Sequence, residues 1–194
     1  MAETHNLPSR AKAPEVWISR DQNLHVASLR YFDRDAFSRS VQERLGMPLP
    51  GVCSALCAPN LSDLDTTVLA WRSPTEALLL CNDPAVVLQL QVHLDSGNDG
   101  CVVDQTGGLL VLRLKGTRVA ELFARIGGHG TLPDLGQAKR SRLAEVPVLA
   151  IQVQLGEILL VVERVYAEHL MNWTQVHALD FAESSLELPK PARL

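Results

Sequence analysis

The chain has 194 residues, 46% of them hydrophobic and 21% charged, with 18 Lys and Arg against 22 Asp and Glu and a formal net charge of −4. That balance excludes a wholly disordered chain and leaves length enough for one sizeable core or two small ones. The acidic excess argues against a protein that binds nucleic acid through its phosphates.

Residues 1–14 are polar, contain two prolines and show no period. They read as a mobile N-terminal arm. Residues 25–30 (His-Val-Ala-Ser-Leu-Arg) predict a strand, and 35–45 a helix with Phe37, Val41 and Leu45 on one stripe. Gly46, Pro48, Pro50 and Gly51 end that helix and open a loop to about Asp65, which carries Cys53 and Cys57. Residues 67–71 and 76–81 predict a hairpin around Pro74, because proline presets φ for a central turn position. Asp83-Pro84 starts a helix as N-cap acid and first-turn proline. Val87, Leu88, Leu90 and Leu94 are its expected core face, and residues 97–100 stop it.

A second round follows. Residues 101–104 and 109–114 predict two strands of a hairpin. The tight turn at 105–108 would take its positive φ from Gly107 and Gly108. Helix 117–126 places Val119, Leu122, Phe123 and Ile126 on a core stripe, and Gly127, Gly128 and Gly130 suit a left-handed helix end. Strands are expected at 142–146, 148–155 and 157–162, the last two joined at Gly156. A final helix at 165–179 is expected to bury Tyr166, Leu170, Trp173 and Val176. Residues 184–194, with Pro189 and Pro191, read as a flexible tail. This order predicts an α+β fold in a single domain over residues 15–183. It would comprise two ferredoxin-like subdomains, about 15–100 and 101–183, with mainly antiparallel sheets and packed helices.

The polar N-terminus lacks the apolar core of a secretion signal. The longest apolar runs, 77–81 and 158–162, fall far short of the roughly 20 residues that span a bilayer. A cytoplasmic chain with no membrane contact is expected, its four cysteines free thiols. Cys53-x-x-x-Cys57 has no companion His or second Cys pair to complete a zinc site, and Cys81 and Cys101 sit in or beside apolar segments. Asp104-Gln105-Thr106-Gly107-Gly108 could offer backbone N–H groups to a phosphate. It lies between strands, however, with neither a helix N-terminus nor a following Lys-Ser/Thr. His25, His93, His169 and His177 fall in regular elements, and His129 is the best exposed candidate for acid–base work, with no partner visible in the sequence. Lys139-Arg140-Ser141-Arg142 reads as a solvated basic linker or a contact for an acidic partner. No catalytic, cofactor-binding or metal-ligating residue is assigned to this chain.

Residues 69–80, 102–106 with 110–124, and 165–173 together resemble the gamma subunit family of heterotetrameric sarcosine oxidase. Residues 69–80 (Leu-Ala-Trp-Arg-Ser-Pro-Thr-Glu-Ala-Leu-Leu-Leu) are similar to its strand, "P-x-E" turn and strand. Residues 102–106 (Val-Val-Asp-Gln-Thr) and 110–124 are similar to its "D-x-S/T" turn, "L-x-L-x-G" strand and following helix, and residues 165–173 to its closing helix. The resemblance implies a fold similar to the folate-binding domain of glycine-cleavage aminomethyltransferases. It also implies a non-catalytic accessory role, with larger alpha and beta flavoprotein subunits as partners. FAD, FMN and folate are implied only for those partners, and the reaction of the complex is oxidative demethylation of sarcosine. The "K-G-C-Y-x-G-Q-E" motif of the related folate-dependent repair protein is absent. A standalone folate-binding one-carbon enzyme of aminomethyltransferase type, and a homo-oligomeric domain of unrelated role, are the alternatives. The closing helix carries Tyr166, Met171 and Trp173 on more than one side. Met171→Glu is therefore expected to weaken assembly and spare the isolated fold.

Overall fold

A computed structural model describes residues 15–58, 67–94, 99–128 and 130–183. The expected arm, tail and helix stop at 97–98, most of the 46–65 loop's second half, and His129 lie outside the described residues.

The elements run β1 (Trp17–Asp21), β2 (His25–Tyr31), α1 (Arg34–Leu45), β3 (Ala55–Cys57), β4 (Thr67–Ser73), β5 (Glu76–Cys81) and α2 (Pro84–Leu94). They continue with β6 (Gly100–Asp104), β7 (Leu109–Lys115), α3 (Val119–Gly127), β8 (Ala138–Leu143), β9 (Val146–Gln154), β10 (Glu157–Glu163) and α4 (Arg164–Glu183). Two five-stranded antiparallel sheets form, in the orders β3-β4-β5-β2-β6 and β1-β7-β10-β9-β8. In the first, β2-α1-β4-β5-α2-β6 is a ferredoxin-like unit with β3 added at the edge. In the second, β7-α3-β9-β10-α4 lacks a last strand of its own, and β1 from the start of the chain stands beside β7 in its place.

The two sheets pack face to face, and each is covered by two helices on its outer side. Three buried clusters record this. One joins α1 and α2 to the first sheet around Phe37 and Leu79. One joins α3 and α4 to the second sheet around Phe123 and Leu160. The third lies between the sheets, around Val68, Leu78, Leu149 and Leu159. The central strands are therefore buried on both faces, which explains why the 77–81 and 158–162 runs are continuously apolar rather than alternating.

Local chemistry fixes the helix ends. Asp33 accepts from the amides of Asp35 (3.0 Å) and Ala36 (3.1 Å) at the start of α1, and Gly46 closes it with φ 69°. Asp83 accepts from the Ala85 amide at 2.8 Å, so the Asp83-Pro84 reading of the α2 start holds.

Several expectations need correction. β6 and β7 do not form a hairpin: β6 pairs with β2 in one sheet, and β7 pairs with β1 and β10 in the other. The 105–108 turn is the crossover between sheets, and neither Gly107 nor Gly108 has a positive φ. The sheets accordingly do not divide the chain at residue 100, since β1 and β6 each join the sheet of the other half. β1 and β3 were not foreseen, because each is short and gains its order from pairing at a sheet edge. β8 covers Ala138–Leu143 rather than 142–146, and its turn to β9 uses Ala144 (φ 49°) and Glu145 (φ 65°), residue types that do not announce a left-handed turn. The basic run thus lies on an edge strand, where charged side chains discourage edge-to-edge pairing. Leu88 is 62% exposed and faces away from the α2 core.

Candidate functional site

The element with the most unspent apolar surface is α4. Its buried stripe is Ala167, Leu170, Thr174 and Phe181, with Met171 and Ala178 packed partly against the same core. Phe181 pins the C-terminal end. Its ring centroid lies 4.3 Å from the Arg118 guanidinium and 4.9 Å from that of Arg125, and Arg125 also pairs with Asp180. At the N-terminal end, Arg164 binds the crossover turn. Its amide donates to the Gly108 carbonyl (2.8 Å), Nε to Gly107 O (2.6 Å) and Nη2 to Thr106 O (3.0 Å).

The stripe differs from expectation. Leu170 is buried, but Tyr166 and Trp173 are 43% and 45% exposed and Val176 is 61% exposed. Together with Val165 and Leu179, also exposed, they make a second apolar face. Trp173 stacks on His177 at 5.1 Å between ring centroids and stands 6.0 Å from His169, and His177 Nδ1 lies 2.9 Å from the Trp173 carbonyl. Beside this face, Val176, Ala178 and Leu179 of α4 meet Val16 and Ile18, at the start of the chain's first strand, across an open groove. Residues 171–179 contain no Asp, Glu, Lys or Arg. A charge-poor surface with a central aromatic is the composition of a protein–protein contact core. Met171 is not on that face, so Met171→Glu would disturb the fold itself.

The other residues singled out from sequence serve the fold. Asp104 Oδ1 accepts from the Thr106 amide at 2.8 Å, and hydrogen bonds from Thr106 hold its carboxyl below the usual range. Thr106 Oγ1 in turn accepts from the Val26 amide at 3.1 Å, tying the crossover to β2. Arg44 Nη2 donates to His93 Nδ1 at 3.0 Å. All four cysteines are free: Cys53 is exposed, Cys57 and Cys101 are half-buried and Cys81 is buried. Burial pushes the Cys57 thiol up, and burial first, then Asp83 and Asp104, pushes Cys81 up to about 11. Neither is poised as a nucleophile. Among the described residues, no three His, Cys, Asp or Glu side chains stand together as ligands for a metal ion, and no helix is long and apolar enough to cross a membrane.

One charged network was not visible in the sequence. Glu157, 4% exposed, pairs with Arg113 and with Lys115 (3.2 Å), and Arg113 reaches Asp21 at 2.7 Å. Burial disfavours the Arg113 charge, but bonds to Asp21 and Glu157 outweigh it and raise its pKa. The three strands that bring these residues together, β1, β7 and β10, are distant in sequence.

No family model matches the chain, and no curated protein matches it. Solved structures do. Two stacked ferredoxin-like layers with outer helices define the aminomethyltransferase-like fold, and the glycine cleavage system aminomethyltransferase T of Bartonella henselae matches with TM-score 0.63 and 13% identity. That match covers 90% of this chain and 52% of the aminomethyltransferase chain. A chain of the heterotetrameric sarcosine oxidase from Corynebacterium sp. U-96, in complex with pyrrole 2-carboxylate, matches with TM-score 0.73 and 20% identity. Here 89% of this chain and 88% of that chain are covered. The fold is therefore the one that the sequence resemblance implied.

Proposed function

We propose that this chain is a non-catalytic accessory subunit, of the gamma type, in a cytoplasmic sarcosine oxidase-like complex. The oxidation chemistry, with FAD, FMN and folate, belongs to larger alpha and beta flavoprotein subunits, and one of these docks on the outer face of α4. The observation that carries the reading is the match over nearly the whole of a heterotetrameric oxidase chain, against about half of the aminomethyltransferase chain. The charge-poor 171–179 segment with half-exposed Trp173 supports it independently, because interface cores lose charged residues and gain aromatic ones.

The test is co-expression with candidate alpha and beta subunits, followed by size-exclusion chromatography and a sarcosine-dependent peroxide assay. The chain is expected to co-elute with a flavin-bearing partner, and to be colourless and inactive alone. Val176→Asp is expected to abolish co-elution while leaving the melting temperature of the isolated chain unchanged. Flavin bound by this chain alone, or sarcosine turnover without a partner, would sink the proposal. Self-association that Val176→Asp abolishes, with no partner captured, would favour the homo-oligomer instead.

A further inference from the structure

The apolar layer between the two sheets ends in a charged mouth. Inward-facing rows cross the second sheet in register. One row is Ala138–Ile151–Leu159, all three in the inter-sheet core, and the next is Arg140–Leu149–Val161. Arg140 therefore takes a position that strand alternation assigns to the core side. On the first sheet, Val68 and Ala70 of β4 face inward, and Arg72 follows at the bulge where β4 shifts register against β5. The two arginines come from different sheets and line one cavity of about 80 Å³. Leu78, Leu149 and Val161 form its apolar wall, and Glu163 lines it as well.

Arg140 lines this cavity while remaining exposed, and Arg72 is half-buried. Arg72 has Glu76 at 3.1 Å. Arg140 has no ion-pair partner among the described residues, although it shares the cavity with Glu163. An unmatched planar fork of N–H donors beside an apolar wall suits a carboxylate on a short alkyl stem. The size limits the stem. At about 80 Å³ the cavity has room for only a few heavy atoms beside the arginines, so the stem must be short. Glu163 discriminates further, because its negative charge penalises a dianion more than a monoanion.

We propose that this cleft binds a short-chain monocarboxylate, its carboxylate held by Arg140 and Arg72 and its stem lying on Leu149 and Val161. The site lies between the sheets, and the face proposed for partner docking lies on the outer side of α4. Binding therefore does not depend on the assembly reading, and each can fail without the other.

The experiment is calorimetric titration of the full-length chain, without partners, with sodium propionate at constant ionic strength. The controls are 1-propanol, which keeps the stem and loses the charge, and sodium formate, which keeps the carboxylate and loses the stem. Propionate is expected to saturate with a Kd of about 1 mM, and both controls to bind about tenfold more weakly or worse. Arg140→Gln is expected to weaken propionate about tenfold. Glu163→Gln, which removes the repelling charge, is expected to tighten it about threefold. Both positions are exposed, so both variants should keep the parent melting temperature. Three results would each overturn the site: no saturable propionate binding, saturation by 1-propanol at the same concentration, or affinity unmoved by both substitutions.

Discussion

Gly100→Ala and Gly107→Ala should move stability in opposite directions, although both glycines flank the same strand. Gly100 opens β6, opposite Tyr31 in the β2 ladder. A Cβ there would stand 2.7 Å from Cδ2 and Cε2 of Phe37, and closer still to the carbonyl oxygen of Arg30. Carbon–carbon contacts are optimal near 3.5–4.0 Å, so the overlap is about 1 Å. Neither neighbour can yield cheaply. Phe37 is 1% exposed in the core under α1 and α2, and the Arg30 carbonyl is backbone of the adjoining strand. Overpacking of this kind costs about 3 kcal/mol, which in a chain of this size lowers the melting temperature by about 6–12 °C. Gly107 has nothing within 4 Å of a built Cβ and no positive φ. Alanine there restricts only the unfolded chain, for a gain of up to about 1 kcal/mol. Thermal and urea melts of both variants decide the matter. A melting temperature that falls further for Gly107→Ala than for Gly100→Ala would refute the reasoning and restore a left-handed hairpin turn at 105–108.

Other consequences follow from single contacts. Phe181→Ala should cost about 3–5 kcal/mol in urea melts, because it empties a buried site and removes the ring that two guanidiniums approach. Phe181→Leu should cost clearly less, since it keeps most of the apolar volume. Arg164→Ala should cost about 1 kcal/mol and speed hydrogen exchange in the 106–109 turn, because the side chain makes two of the three bonds by which Arg164 clamps it. With Cys81 raised from 9.0 to about 11 in the folded state, its contribution is fully present below pH 9 and lost as pH rises toward 11. Cys81→Ala should flatten that alkaline decline in a pH series of melts. A thiol reagent at pH 8 should label exposed Cys53 well before Cys81.

What the sequence made legible was local. The body of α1 followed from its Phe37, Val41 and Leu45 stripe, the α2 start from Asp83-Pro84, the α3 stripe from its apolar spacing, and the β4–β5 and β9–β10 hairpins from Pro74 and Gly156. Pairing between distant strands was not legible. Two strands separated by Gln-Thr-Gly-Gly look like a hairpin because the glycines permit one, yet the contacts that decide the pairing lie far away. Val26 receives the crossover through Thr106, and Arg164, 56 residues beyond Gly108, clamps it from the other side. The Asp21–Arg113–Glu157 network failed to emerge for the same reason: each charge alone looks like surface, and only the β1-β7-β10 order makes them neighbours.

The misread face of α4 has a different origin. Periodicity identifies an apolar stripe but cannot rank two stripes on one helix. On α4, the stripe through Ala167, Leu170 and Thr174 packs on the sheet although it is built of small or polar residues as well as leucine. The stripe through Tyr166, Trp173 and Val176 is bulkier and was the natural choice for the core, yet it faces outward. A helix that lies flat on a β-sheet gains from small residues at the contact, because they let the backbone approach, so the bulky stripe is displaced to the far side. Tyr166, Trp173 and Val176 keep 43–61% of their surface in water, so burying the rest would add a part of the roughly 1.5–3 kcal/mol that full burial of a large apolar side chain gives. Among the described residues nothing covers this stripe, so a second body would recover the difference. The same outward-facing bulk that defeats the periodicity reading is therefore what a docking subunit would bury, and Trp173→Ala should weaken assembly without lowering the melting temperature of the isolated chain. If Trp173→Ala instead destabilises the isolated chain as much as Leu170→Ala does, the outer face belongs to this chain's own core and the docking assignment is wrong.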